Sequence, residues 1–420
     1  MSDREEDVGG AGGAQAGRGS GAQALAGLRV LGQLIAGPFA GAILADFGAD
    51  VIKVEDPRGG DPLRSWRMLH EGTSLWWRVI GRNKRSVAVD LRAAEGRALV
   101  RRLIVEGEVD VVIENFRPGR MEAWGLGYAA LARAAAGLVM ARISGYGLDG
   151  PRAGEPGFAN IAEAYGGLRY LTGEPGRPPV RSGVSLGDTA AGLHAAIGIL
   201  AALRRRDACG EGQVVDVALS ESVLNLMESL IPEYSVFGHV RERSGAKLEG
   251  VAPTGTYPCA DGRFVAIGAN SDGMFRRLMR AIGREDMAEE PCLQGNAGRV
   301  EHEARIDAAI AGFTAARPLA AVLAALAAAE VAAGPIQSAA EIAADPQFLA
   351  RGALEAATLA DGTRVLIPAV LPRLTATPGA TRWLGPELGA HTEEVLGAML
   401  KMEAAEIERL QGAGVIGASR

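Results

Sequence analysis

From Leu28 onward the chain alternates short, continuously apolar runs with stretches whose apolar residues recur at helical spacing. LRVLGQ is followed by PFAGAILADFGA, then DVIKVE, a polar loop, SVAVDL, AAEGRALVRRLIVEG, VDVVIEN and LVMARIS. Runs that are apolar at every position predict strands of a parallel sheet covered on both faces, and the intervening patterns predict its crossover helices. The expected fold class is α/β: a doubly wound, Rossmann-like large domain whose sheet ends near Arg206, plus a smaller α+β domain. The apolar segment from Thr189 to Leu203 predicts a long buried helix with Asp188 at its N-cap. Beyond it, Gly212 to Ala218 predicts a strand, Leu219 to Gly238 one long helix, and the polar stretch Arg241 to Gly255 a mobile loop. TYPCADGRFVAIGA predicts a hairpin about Asp261-Gly262, and Ala-rich helices follow from Glu301 to Glu330. The expected division is a disordered tail over residues 1–26, a large Rossmann-like domain over 27–206, a linking strand and helix over 207–248, a small α+β domain over 249–338, and a segment over 339–420 that returns to the large domain.

Composition narrows the class. At 420 residues, 48% hydrophobic and 22% charged, the chain has ordinary globular content and length for two cores. A net charge of −6 argues against nucleic acid or an anionic membrane as partner. Cys209, Cys259 and Cys292 are far apart and form no CxxC pattern, so neither a disulfide framework nor a metal site is expected, and the cytoplasm is the expected compartment. Residues 1–26 lack the basic start and apolar core of a secretory signal, and no uninterrupted apolar stretch reaches the roughly 20 residues that span a bilayer.

The candidate chemistry centres on Asp188, in the run GVSLGDTAAG. A carboxylate at a helix N-terminus is held ionised by free N–H groups and the helix dipole, and carboxylates act as covalent nucleophiles toward activated acyl carbons. Gly183 and Gly187 would let a bulky reacting group approach. The competing reading is a plain helix cap. Gly145 to Gly150 (GYGLDG) matches GxGxxG, but Pro151, Gly154, Pro156 and Gly157 forbid the helix that a dinucleotide site requires, so the match is read as a decoy. Glu114 to Gly119 (ENFRPG) closes a predicted strand where α/β proteins bind ligands, although an ordinary turn has the same composition. Asn83-Lys84-Arg85-Ser86 offers two cations, suited to phosphate or simply to solvent.

Taken in order, these segments resemble the family III CoA-transferases, a group that includes formyl-CoA and carnitine CoA-transferases and acyl-CoA racemases. QLIAGPFAG (33–41), VIKVE (51–55), Gly60-Asp61-Pro62, Asn83 to Ser86, ENFRPG (114–119), SGYGLDGP (144–151), Gly187-Asp188, GEGQVVD (210–216), Gly334-Pro335-Ile336 and Leu384 to Thr392 carry the resemblance from about Leu28 to the C-terminus. It implies that Asp188 forms a mixed anhydride and then an aspartyl-CoA thioester. It implies that Gln33 lies near the reacting centre, that Asn115 and Phe116 stand beside CoA, and that Arg64, Lys84 and Arg85 are candidates for the CoA phosphates. The expected function is transfer of CoA from an acyl-CoA donor, with succinyl-CoA a candidate, to a small carboxylic or dicarboxylic acid. CoA is a substrate, no bound cofactor is implied, and the family's interlocked homodimer is expected. The alternatives are an acyl-CoA racemase or a non-catalytic CoA-binding protein. Phe158 and Ala159 stand where many relatives carry Tyr or His followed by an acidic residue, and they cannot move the protons that racemisation requires. The segment Glu249 to Thr256 lies where oxalate-using members have a glycine run over the site, and a related lid is expected there. His194 is too far along the helix to serve Asp188 as a base, and His391 is read as structural.

Overall fold

The structure, a computed structural model, describes residues 23–32 and 36–417. Six strands, β1 (Arg29–Gly32), β2 (Asp50–Glu55), β3 (Lys84–Ala88), β4 (Val111–Glu114), β5 (Val139–Ser144) and β6 (Val214–Ala218), form one sheet. Their order is β3-β2-β1-β4-β5-β6 and every pairing is parallel. The sheet therefore continues past Arg206 to include β6.

The strands alternate faces as their apolar runs require. Val30, Val111 and Ile113 enter one cluster with Leu44, Ala191, Ala195 and Ile199, from helices α1 (Ala36–Asp46) and, further on, the 24-residue Leu186–Cys209. Leu31 and Val112 face the other way and pack with Leu99 and Leu103 of α2 (Ala94–Val105) and with Val395, Leu396 and Ile407 near the C-terminus. A short helix α3 (Ala159–Tyr165) precedes α4 (Leu186–Cys209). Among the described residues α4 is the one single helix long and apolar enough to cross a bilayer, contrary to the expectation that no stretch qualifies. Ala190, Ala191, Ala195 and Ala202 instead bury its inner face, where small side chains let it approach the sheet closely.

The helix expected over 219–238 is two: α5 (Leu219–Leu224) and α6 (Leu230–Phe237). Glu228 takes a left-handed conformation (φ 51°) between them, and Pro232 falls in the first turn of α6, where its missing N–H costs nothing. The stretch expected to be a mobile loop makes these contacts: His239 bonds Glu249 at 2.9 Å, Arg241 pairs with Glu233 at 2.6 Å, and the Arg299 guanidinium donates to the Ala252 carbonyl at 3.0 Å. β7 (Thr254–Pro258), β8 (Phe264–Gly268) and β9 (Ala333–Pro335) form an antiparallel sheet in the order β9-β8-β7, with its own cluster about Phe275, Leu278, Ile306 and Val322.

Candidate active site

Because all six strands run parallel, their carboxyl ends share one edge. Between β1 and β4 the strand order reverses, which opens a crevice in sheets of this type. Glu114 ends β4 there; Asn115 and Phe116 follow it. The Asn115 Oδ1 is buried and has no protein hydrogen-bond partner among the described residues, so it is an acceptor available to a ligand. The Phe116 N–H donates to the Glu114 carboxylate at 2.8 Å, and its ring packs edge-on against Trp124 with centroids 5.0 Å apart. Gln33 lies outside the described residues.

Along the same edge, β2 supplies a buried charge network. Lys53 pairs with Asp61 at 2.6 Å; Glu55 accepts from Arg64 Nε and Nη2 at 2.8 Å each, from the Ser86 hydroxyl at 2.6 Å and from the Asp61 N–H at 2.9 Å. Burial raises the Glu55 and Asp61 carboxyls, but the cations of Arg64 and Lys53 outweigh it and hold both below their ordinary values. Arg64 also stacks on Trp77, 3.9 Å from the ring centroid, and donates to the Pro386 carbonyl. Lys84 is 1% exposed, and its ammonium donates to the Pro38 carbonyl at 2.5 Å; burial, then Lys53, pushes its pKa well down. Arg85 is paired with Asp50 and Glu394. Arg64, Lys84 and Arg85, expected at CoA phosphates, each meet protein partners: Arg64 the Glu55 carboxylate, Lys84 the Pro38 carbonyl, and Arg85 the carboxylates of Asp50 and Glu394. Arg117 and Arg120, which follow Asn115 in sequence, are exposed cations at that edge.

Asp188 sits one turn further in than expected. α4 begins at Leu186 with Ser185 at its cap, so Asp188 is in the first turn and not at the N-cap. Asp188 is half-buried beside Glu163, which is 2% exposed. Glu163 accepts from the Gly187 N–H at 3.3 Å and lies 3.4 Å from Arg169 and 3.5 Å from Arg181. Burial first, then the Glu163 charge, raises the Asp188 pKa to about 6, against the pull of Arg181. With a pKa of about 6, about nine in ten Asp188 side chains are ionised at pH 7, so the carboxylate expected to be charged at neutral pH carries its charge despite burial. With Asp188 as nucleophile, kcat/KM for the acyl donor should rise with pH, reach half its plateau near pH 6 and stand at about a tenth of it at pH 5; a steady-state pH profile checks this.

Two cavities adjoin along Arg67, Trp76, Val184 and Ser185, and Asp188 lines the smaller of them. The inner one, about 190 Å³, is lined by Phe39, Arg67, Trp76, Ile80, Asp188 and Thr189, among others. The outer one, about 660 Å³, shares Arg67, Trp76, Val184 and Ser185 with it and adds Trp66 and Arg181. Gly183 faces open space, as a passage for a bulky group requires, but Gly187 does not: a Cβ there would lie 3.2 Å from the Ala159 carbonyl oxygen, so this glycine admits α3. Gly145 likewise is bare because a Cβ would come within 2.7 Å of the Gly157 Cα, which explains the GxGxxG match by a backbone crossing. Ala159 is buried under Gly187, and Phe158 is exposed. Both ring nitrogens of His194 are engaged, with the Ala190 carbonyl at 2.9 Å and the Asn225 amide at 3.0 Å. The His391 Nδ1 accepts from the Ser86 N–H, and its pKa is lowered by burial. At the surface His70, Glu71 and Asp361 could bring three ligand atoms within 4.8 Å, but the His70–Asp361 bond at 2.6 Å accounts for their approach.

Glu163, Arg67, Trp76 and Arg181 were not singled out from sequence. Glu163 had a readable signal: it falls four residues after Ala159 and one after Ala162, on the buried stripe of α3.

The family profile described as CoA-transferase family III matches residues 25–392. The chain belongs to that family. As a family III CoA-transferase it is an enzyme that works on CoA thioesters. It is 46% identical over 387 residues to the succinyl-CoA–D-citramalate CoA-transferase of Chloroflexus aurantiacus, covering 92% of this chain and 96% of that protein. It is 36% identical to the succinate–glutarate CoA-transferase of Agrobacterium fabrum, over 90% of this chain and 96% of the other. Among solved structures, a CAIB/BAIF family protein from Brucella suis superposes with a TM-score of 0.79 at 34% identity, covering 90% of this chain and all of that one.

Proposed function

We propose that this CoA-transferase moves CoA from succinyl-CoA to a small dicarboxylic acid through Asp188. The observation that carries the reading is a half-buried carboxylate, ionised at neutral pH, in a small chamber that opens into a larger cleft. The names of the citramalate and glutarate relatives support the choice of donor and acceptor class. The Asp188 carboxylate attacks the thioester carbonyl, the C–S bond breaks, and CoA leaves as thiolate. The thiolate then attacks the Asp188 carbonyl of the mixed anhydride and releases succinate. The acceptor carboxylate attacks the resulting aspartyl thioester, and CoA returns to the acceptor's acyl carbon with Asp188 regenerated. Each intermediate stays activated only while water is excluded, which an inner chamber of this size favours. The positive end of α4 and the first-turn N–H groups are suited to the developing oxyanions.

CoA itself is read as lying across the switch point, with the unpaired Asn115 Oδ1 and the Phe116 ring as contacts. Arg117 and Arg120 take over the phosphate role first given to Arg64, Lys84 and Arg85. Three free cysteines support the cytoplasm as compartment. The interlocked homodimer is supported by the apolar outer face of α4, where Leu193, Ile197 and Leu200 are exposed at helical spacing, and by exposed Ile231, Tyr234, Val236 and Phe237 on α6. Sedimentation should give twice the 43.5 kDa chain mass. The functional reading is tested by incubating the protein with succinyl-CoA and a panel of mono- and dicarboxylic acids and following new thioesters by mass spectrometry; no new thioester with any dicarboxylic acid overturns it.

A further inference from the structure

We infer that Arg67 binds the remote carboxylate of the dicarboxylic acyl group while its other carboxyl carbon reacts at Asp188. The inference rests on the transferase reading and deepens it to a residue that selects dicarboxylic substrates. Three independent observations meet at this side chain.

The first is position. Arg67 lines both cavities, and in the inner one it shares the wall with Asp188. An inner volume of about 190 Å³ lies below the ~300–1,000 Å³ of drug-sized ligand sites, whereas the outer cleft at about 660 Å³ falls within that range. The division suits a short acid inside and the CoA arm outside.

The second is charge. Each of the other six arginines between residues 58 and 92 pairs with a carboxylate: Arg58 with Asp56, Arg64 with Glu55, Arg78 with Glu387, Arg82 with Asp46, Arg85 with Asp50 and Arg92 with Asp90. Arg67 has no carboxylate partner among the described residues. Its guanidinium lies over the Trp76 ring, 4.7 Å from the centroid, which holds the planar fork in place without using its N–H donors. A guanidinium set on an aromatic wall beside an open chamber is arranged for bidentate contact with a carboxylate. Arg181, which also lines the outer cleft, lies 3.5 Å from the Glu163 carboxylate.

The third is backbone. Arg67 has φ of 61°, in the left-handed region that non-glycine residues rarely adopt. Such a conformation persists where surroundings over-determine it, and it turns this side chain while Arg64, three residues earlier, is fixed to Glu55.

The test compares full-length wild type with Arg67→Gln and Arg67→Lys, measuring KM and kcat for succinyl-CoA and the inhibition constant of free CoA. Loss of a charge-assisted contact should raise KM for succinyl-CoA about tenfold or more in Arg67→Gln, with a smaller rise in Arg67→Lys, while free CoA inhibits all three equally. Unchanged CoA inhibition also shows that the variant is folded. An unaltered KM in Arg67→Gln, or a KM rise matched by an equal weakening of CoA inhibition, overturns the inference, the latter because it would make Arg67 a CoA contact. A wild-type protein that transfers CoA from succinyl-CoA to nothing would instead overturn the transferase reading itself.

Discussion

Replacing Asp188 with Asn should lower CoA transfer from succinyl-CoA by at least ~10⁴-fold, the scale on which loss of a covalent nucleophile is felt. The amide is nearly isosteric but cannot attack the thioester, so neither the anhydride nor the aspartyl thioester can form. Binding should survive, because the cleft walls formed by Trp66, Arg67, Trp76 and Arg181 are untouched; free CoA bound by the variant with wild-type affinity would separate lost chemistry from lost folding. The same substitution carries a stability signature of opposite sign. Asp188 titrates near 6 in the folded protein against an ordinary 3.8, so its ionised form opposes folding. That cost is complete above pH 6, shrinks as the folded state takes up its proton and vanishes below about pH 4. The Asp188→Asn protein should therefore melt above wild type at pH 7, and the difference should close at pH 4 in a thermal scan. A variant that keeps full transfer activity would return Asp188 to the role of a helix-terminal structural residue.

The second large effect is on the fold. Glu55→Ala should destabilise the protein by about 3–5 kcal/mol, because it removes the acceptor of a buried cation. Glu55 is 2% exposed and receives both Arg64 donors, the Ser86 hydroxyl and the Asp61 N–H. Without it Arg64 keeps only the Pro386 carbonyl and the Trp77 ring, and its charge has no counterion in a site closed to water. Against total stabilities of roughly 5–15 kcal/mol, such a loss is a large fraction of the whole. Urea titration should show a lower midpoint with an unchanged slope. Because Glu55 and Asp61 are both held below their ordinary carboxyl values, their contribution is present above about pH 4.5 and is lost as acid protonates them. Transfer activity should also fall, since the Asp61–Arg64 turn leads directly into Arg67 and the cleft wall.

The strands and crossovers were readable because a doubly covered parallel sheet imposes a local rule. Val30 against Leu31, and Val111 against Val112, serve opposite faces, so every position in the run must be apolar. Asp188 was readable for a related reason, as a carboxylate beside glycines at the start of an apolar helix. One-turn errors followed from the same locality: Leu186 and Gly187 look like loop residues until Glu163, 24 positions back, caps the Gly187 N–H. Lys84 and Arg85 show the limit most clearly. Two cations after an asparagine look alike whether they face solvent, phosphate or a buried carbonyl, and only the arrival of Pro38 and Asp50 from neighbouring elements decided that they are internal. The contact that holds Ala252 likewise comes from a distant residue, Arg299, 47 positions further along.

Periodicity and turn chemistry are properties of neighbours along the chain, so fold class, the family resemblance and Asp188 as a candidate nucleophile are legible in the sequence itself. The ionisation of Asp188, the company of Glu163 and the free guanidinium of Arg67 are sums over charges and surfaces brought together from segments about 20 to 120 residues apart. Coulomb energy and desolvation depend on distance in space, which the order of residues does not contain and packing alone supplies.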